Sequence, residues 1–131
     1  MKKVDQIVIG KNGNTLGDCF RACLASIFEF DIKSMPNFWE ETQDAKIYWK
    51  LTNEWLAENY DYKCIVVKIS NDEMDVFVKD VLCIAIADSI RGAEHAVVWY
   101  NEMIHDPHPD RSGILNKPEC FTFLISTGLK N

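Results

Sequence analysis

The 131-residue chain has no run of basic residues longer than Lys2-Lys3. Its 14 Lys and Arg are outnumbered by 20 Asp and Glu, which leaves a net charge of −6. A cationic footprint is therefore missing, which excludes nucleic acid and disfavours anionic membrane surfaces as partners. No stretch approaches the ~18 apolar residues that a membrane span requires. Met1-Lys2-Lys3 leads into Val4-Asp5-Gln6 rather than the apolar core of a signal peptide. The five cysteines, Cys19, Cys23, Cys64, Cys83 and Cys120, include no C-x-x-C pair. Neither a disulfide framework nor a structural zinc site is expected, whereas reduced thiols in a cytoplasmic protein are. Repeats, low-complexity tracts and linkers are missing too. With only three histidines in the chain, few side chains are available as a base.

What is present suits one domain over residues 1–131, since 47% hydrophobic content is enough for a single core. Residues 4–9 (VDQIVI) predict a short strand, followed by the polar, glycine-bearing loop KNGNTLGD. Asp18 predicts an N-cap for a helix from about Cys19 to Glu29. Cys19, Cys23 and Ser26 share one face of it, and Ala22 and Ala25 keep its surface small. A connection containing Pro36 follows. A second helix over roughly Asp44–Asn59 carries Ile47, Leu51 and Trp55 as its core stripe, with Tyr48 and Leu56 beside them. Beyond it the period changes. YKCIVVKI (62–69) and VLCIAIA (81–87) predict buried strands, joined by a short helical or irregular crossover. HAVVWY (95–100) and MIHD (103–106) predict a hairpin turning at Asn101-Glu102, and CFTFLI (120–125) a last strand. Helices first and a mostly antiparallel sheet afterwards make an α+β domain.

Cys19 sits where a helix begins. Free backbone N–H groups and the positive end of the helix dipole favour a thiolate there, and the thiolate is the reactive form. The Asp18 charge opposes this, unless its carboxylate is turned onto the N2 and N3 amides as a cap. A thiol nucleophile also needs a base and an orienter. If Asn101-Glu102 is a two-residue turn, Tyr100 pairs with Met103 and Val97 lies opposite Asp106. His95 then shares a face with Asp106, within reach as a diagonal neighbour, while His105 points to the other face. A one-residue slip of register separates them. His95 is thus the candidate base for Cys19, and Asp106 the candidate orienter of its ring. An oxyanion would be held by the Cys19 backbone N–H and a donor from the preceding loop, with Asn14 the first choice and Asn12 the other.

The segments GDCFRACLASIF and EHAVVWYNEMIHDPHPDRSGI resemble a group of short phage and bacterial proteins related to papain-like, C39-type cysteine peptidases. The resemblance covers about a third of the chain. It implies a papain-like fold and a triad of Cys19, His95 and Asp106. It also implies a cysteine hydrolase, a peptidase or isopeptidase, that acts on a protein or peptide through an acyl-thioenzyme and needs no cofactor. In that superfamily a Gln six residues before the nucleophile helps hold the oxyanion. This chain has Gly13 there, between Asn12 and Asn14.

Other readings stand beside these. The same triad serves amidases, deamidases and acyltransferases, and a non-catalytic binding module of this fold would sequester a protein or small ligand. Cys23 reads as core or as a resolving thiol. Cys64, Cys83 and Cys120 read as strand interior. His105 and His108, with Asp106 between them, have a spacing that suggests metal ligands on a helix, but on an extended chain they diverge, so no metal is expected. His108 is a candidate for binding substrate at the site rim. Arg111 meets a carboxylate or, as favoured here, solvent. Ser26 is a weak alternative nucleophile, because mid-helix hydroxyls bond back to the i−4 carbonyl. Asp106→Asn is expected to do less harm than loss of Cys19 or His95.

Overall fold

A computed structural model describes residues 1–9 and 18–128. The candidate oxyanion donors Asn12 and Asn14 lie outside the described residues. Among the described residues four α-helices and five strands follow in the order α1 (Cys19–Phe28), α2 (Phe38–Thr42), α3 (Ala45–Tyr60), β1 (Tyr62–Lys68), α4 (Met74–Phe77), β2 (Cys83–Asp88), β3 (Glu94–Trp99), β4 (Met103–His105) and β5 (Cys120–Ser126). The strands form one sheet in the order β1-β5-β2-β3-β4, and every pairing is antiparallel. The architecture is therefore α+β, with the cysteine-bearing helix α1 packed on β3. Among the described residues no helix is long and apolar enough to cross a membrane.

Strand alternation divides the core. Ile84, Ala96 and Val98 turn to the helices, where they meet Ala22, Cys23, Leu24 and Leu56. Cys83, Ala85, Val97 and Phe121 form the opposite cluster with Val78 and Ile69. The small face of α1 is wholly buried, with Ala22, Cys23 and Ala25 at 0% exposure, so the helix lies close against the sheet. Cys23 is thus core.

Three expectations need correction. Residues 4–9 form no strand. Their amides go instead to isolated partners: Val4 N–H to Ser26 Oγ (3.0 Å), Gln6 N–H to the Pro107 carbonyl (3.0 Å), and Ile7 and Val8 N–H to Asp18 Oδ1 (3.0 and 2.9 Å). The buried line of α3 runs through Thr52 and Leu56, with Tyr48 and Trp49 packed against the core, while Ile47 is 45% exposed. Leu51 and Trp55 of the expected stripe do pack against the core, so Ile47 alone departs from it, while the polar Thr52 is fully buried beside them. Finally, β1 is an edge strand with Ile65 and Val66 more than 40% exposed, so only Cys64 is buried along it.

The β3–β4 hairpin carries the site. Asn101 has φ of 64°, and the Tyr100 amide bonds to the Glu102 carbonyl, so the tip is longer by one residue than a two-residue turn. Trp99 consequently pairs with Met103. A bulge in β4 then inserts Ile104, and Val98 pairs with His105. The slip made by the turn is cancelled one step later. Continued along the strands, this register sets Val97 opposite Asp106.

Candidate active site

His95 and Asp106 meet. His95 Nε2 lies 2.6 Å from Asp106 Oδ1, and both side chains are buried, at 4% and 1% exposure. Cys19 lies close enough for its side chain to act on the charge of the imidazole. Cys19 itself is half-buried at the first position of α1. Cys19 and His95 open together into a cleft of about 220 Å³. Phe20, Phe38, Trp39, Tyr48 and Trp49 supply aromatic walls, and Glu94 also borders it.

Burial works to lower the pKa of His95, but the Asp106 carboxylate and the Cys19 side chain outweigh it and push the group up to about 9. Burial likewise works to raise Asp106. The His95 ring, the His108 amide and the Gly113 amide outweigh it and hold the carboxyl at about 2. The pair is thus a carboxylate and an imidazolium at neutral pH. Its contribution to stability is complete between the ordinary values of 3.8 and 6.5. The contribution is lost as pH rises through about 9, where the imidazolium deprotonates, or falls through about 2, where the carboxylate protonates.

Two backbone amides complete the Asp106 environment. His108 N–H donates to Oδ1 (2.9 Å), an Asx turn across Asp106-Pro107-His108, and Gly113 N–H donates to Oδ2 (2.6 Å). Gly113 has φ of 72°, and a Cβ on it would sit 3.3 Å from the Met103 side chain. A glycine suits this left-handed position, and its amide reaches the carboxylate from it. Three donors therefore converge on Asp106, which changes the expectation for Asp106→Asn. An amide has only one acceptor oxygen. If that oxygen serves His95 and His108, the amide nitrogen faces the Gly113 N–H, donor against donor. Asp106→Asn is expected to cost about 1–3 kcal/mol near pH 6 and to flatten the fall in stability between about pH 6.5 and 9. Urea unfolding across that range measures both effects, and a profile that still parallels the wild type would mean that the His95–Asp106 pair does not govern it.

Asp18 does not cap α1 with its side chain. Its Oδ1 accepts the Ile7 and Val8 amides, and its Oδ2 takes Arg21 Nη1 at 3.0 Å. Arg21 Nε in turn donates to the Met35 carbonyl (2.8 Å), so this buried i,i+3 pair is satisfied within the protein. The first-turn amides of α1 are left without a side-chain cap beside the Cys19 thiol. Arg21 balances the Asp18 charge at the start of α1. The pair was hidden from sequence reading, although its i,i+3 spacing was a usable signal.

The remaining candidates separate. His108 is not among the residues bordering the cleft; its ring stands edge-on to His95 at 6.2 Å, and its Nδ1 accepts the Asp110 amide at 3.1 Å. His105 Nε2 bonds to the Val4 carbonyl at 2.8 Å. Among the described residues no three Cys, His, Asp or Glu side chains are grouped to hold a metal. Ser26 Oγ donates to the Ala22 carbonyl (2.8 Å) and receives the Val4 amide, which places it in packing between segments. Arg111 does not face solvent alone: it pairs with Asp5 at 2.6 and 2.8 Å. All five thiols are free. Burial raises Cys23 and Cys120, and lifts Cys64 to about 11 and Cys83 to about 12.

No protein-family model matches the chain, and comparison with curated proteins returns no relative.

Proposed function

We propose that the protein is a papain-like cysteine hydrolase, a peptidase or isopeptidase, in which Cys19 is the nucleophile, His95 the proton carrier and Asp106 its orienter. The observation that carries this reading is the buried His95–Asp106 pair, whose ring borders the same cleft as Cys19. Asp106 and Cys19 raise His95 to about 9, so the ring carries its proton at neutral pH, and the reaction proceeds from the Cys19 sulfur in its deprotonated, nucleophilic form. The sulfur attacks the carbonyl carbon of a bound amide, forming a C–S bond and placing the negative charge on the oxygen. The Cys19 amide, with Asn14 or Asn12 as second donor, stabilises that oxygen. Collapse breaks the C–N bond, and His95 hands its proton to the departing amine. His95, now neutral, takes a proton from water as the water attacks the thioester, which releases the acid and restores the ion pair.

The cleft volume falls below the roughly 300–1,000 Å³ of pockets that enclose a whole small-molecule ligand. It suits one apolar side chain of a longer acyl donor, which favours a peptide or protein substrate. The same aromatic walls would serve a binding module, and thiol reactivity separates the two. Iodoacetamide near neutral pH is expected to alkylate Cys19 at least about tenfold faster than any of the other four cysteines, read by peptide mass spectrometry. Slow, uniform alkylation of all five would favour the binding module.

A further inference from the structure

Residues 2–8 run between the two halves of the site and bond to both. Toward α1, Lys2 N–H donates to the Ser26 carbonyl (3.0 Å), Val4 N–H to Ser26 Oγ, and Ile7 and Val8 N–H to Asp18. Toward the Asp106 loop, Gln6 N–H donates to the Pro107 carbonyl, and His105 Nε2 bonds to the Val4 carbonyl. Arg111 closes this second side. Its Nη1 donates to the Asp106 carbonyl (2.5 Å) and the His108 carbonyl (3.2 Å), while Nη1 and Nη2 reach the Asp5 carboxylate.

We propose that Arg111 and Asp5 are positioning residues for the site: the guanidinium links the Asp106 backbone to the segment that grips the start of α1, and so fixes the carboxylate, and His95 with it, relative to Cys19. Two features point to position rather than stability. Both side chains are about half exposed, at 51% and 41%, and an ion pair so exposed contributes little to folding. Arg111 also holds φ of 56°, where Gly or Asn is easier, so the position carries a strained backbone together with a forked side chain. A fork that meets a carboxylate and two carbonyls at once is a task for Arg rather than Lys. The titratable and charged groups around this node are Lys3, Asp5, His105, Asp106 and His108, with Asp110 on the His108 ring.

The inference rests on the reading of Cys19, His95 and Asp106 as one catalytic set, and its test is separable from that reading. NMR of the His95 imidazole follows its titration in the wild type, Arg111→Gln, Asp5→Asn and Arg111→Lys, and iodoacetamide follows Cys19 alkylation in the same proteins. In Arg111→Gln the His95 midpoint is expected to fall by about one pH unit, a tenfold change in proton affinity. Cys19 alkylation at neutral pH should slow in step, with little change in the unfolding midpoint. Asp5→Asn is expected to do the same more weakly, and Arg111→Lys to recover part of the loss. His95 midpoints equal to wild type in both Arg111→Gln and Asp5→Asn would overturn the inference, whatever their stability. Wild-type Cys19 that is no faster than the other thiols would instead overturn the catalytic reading, while the His95 midpoints still decide the role of Arg111.

Discussion

Cys19→Ala is expected to abolish acyl-thioenzyme formation while leaving the fold intact. With p-nitrophenyl acetate as acyl donor, the burst of nitrophenolate should fall by at least about 10³-fold, because among the described residues no other thiol borders the cleft. The fold should survive because Cys19 is half-buried at the first helical position, and alanine is the best helix former there. The other thiols cannot substitute. Cys23 is one turn further along α1 and fully buried, with its ionisation raised well above that of an ordinary thiol. Ser26 is engaged by Ala22 and Val4. A Cys19→Ala protein that keeps its burst would remove the nucleophile from this account and return the cleft to a binding role.

His95→Ala carries the second large effect. If His95 carries the proton as proposed, its loss is expected to slow the burst by about 10²–10⁴-fold and to make Cys19 no more reactive to iodoacetamide than an ordinary exposed thiol. His95→Gln serves as a companion. It fills much of the same space without ionising, so it should keep more stability than alanine and recover none of the rate. Asp106 retains the His108 and Gly113 amides in both variants, which limits collapse of the loop. A rate in His95→Gln close to that of the wild type would mean that the ring only packs.

Much of this arrangement was legible in the sequence, for reasons that differ by element. The small-residue helix after Gly17-Asp18 and the apolar runs at 62–69, 81–87 and 120–125 are local patterns, and they match α1, β1, β2 and β5 within a residue or two. The meeting of His95 with Asp106 depends on register. The two-residue turn assumed from Asn101-Glu102 is not the one present, yet the Ile104 bulge restores the pairing that such a turn would give. A bulge of this kind is set by the geometry of the turn and has no composition signal here. Residues 4–9 are rich in Val and Ile, as a strand is, but tertiary partners on Ser26, Asp18 and Pro107 take their amides before a ladder can. Asp18 was legible as a residue at a helix start and illegible as the acceptor of two distant amides. The Asp5–Arg111 pair spans more than a hundred residues, a separation at which sequence spacing carries no information about contact.

The findings at residues 4–9, Asp18 and Arg111 share a direction. Each places a polar side chain in service of the N-terminal segment or the Asp106 loop, the two pieces of irregular backbone that flank the Cys19 helix and the His95 strand. Regular elements bring the sulfur and the imidazole near one another. Irregular segments, held by Asp18, Arg21, Asp5 and Arg111, hold the ends of those elements in place.

The most direct test of whether sulfur, imidazole and carboxylate act as one unit is the pH dependence of Cys19 alkylation in the wild type and in His95→Gln. In the wild type the rate should already be substantial at about pH 6, below the range where an unperturbed thiol ionises. It should then change again as His95 loses its proton near 9. In His95→Gln the low-pH limb should vanish and leave one rise. A wild-type profile with a single rise centred at about pH 8.5, superimposable on that of His95→Gln, would contradict the account.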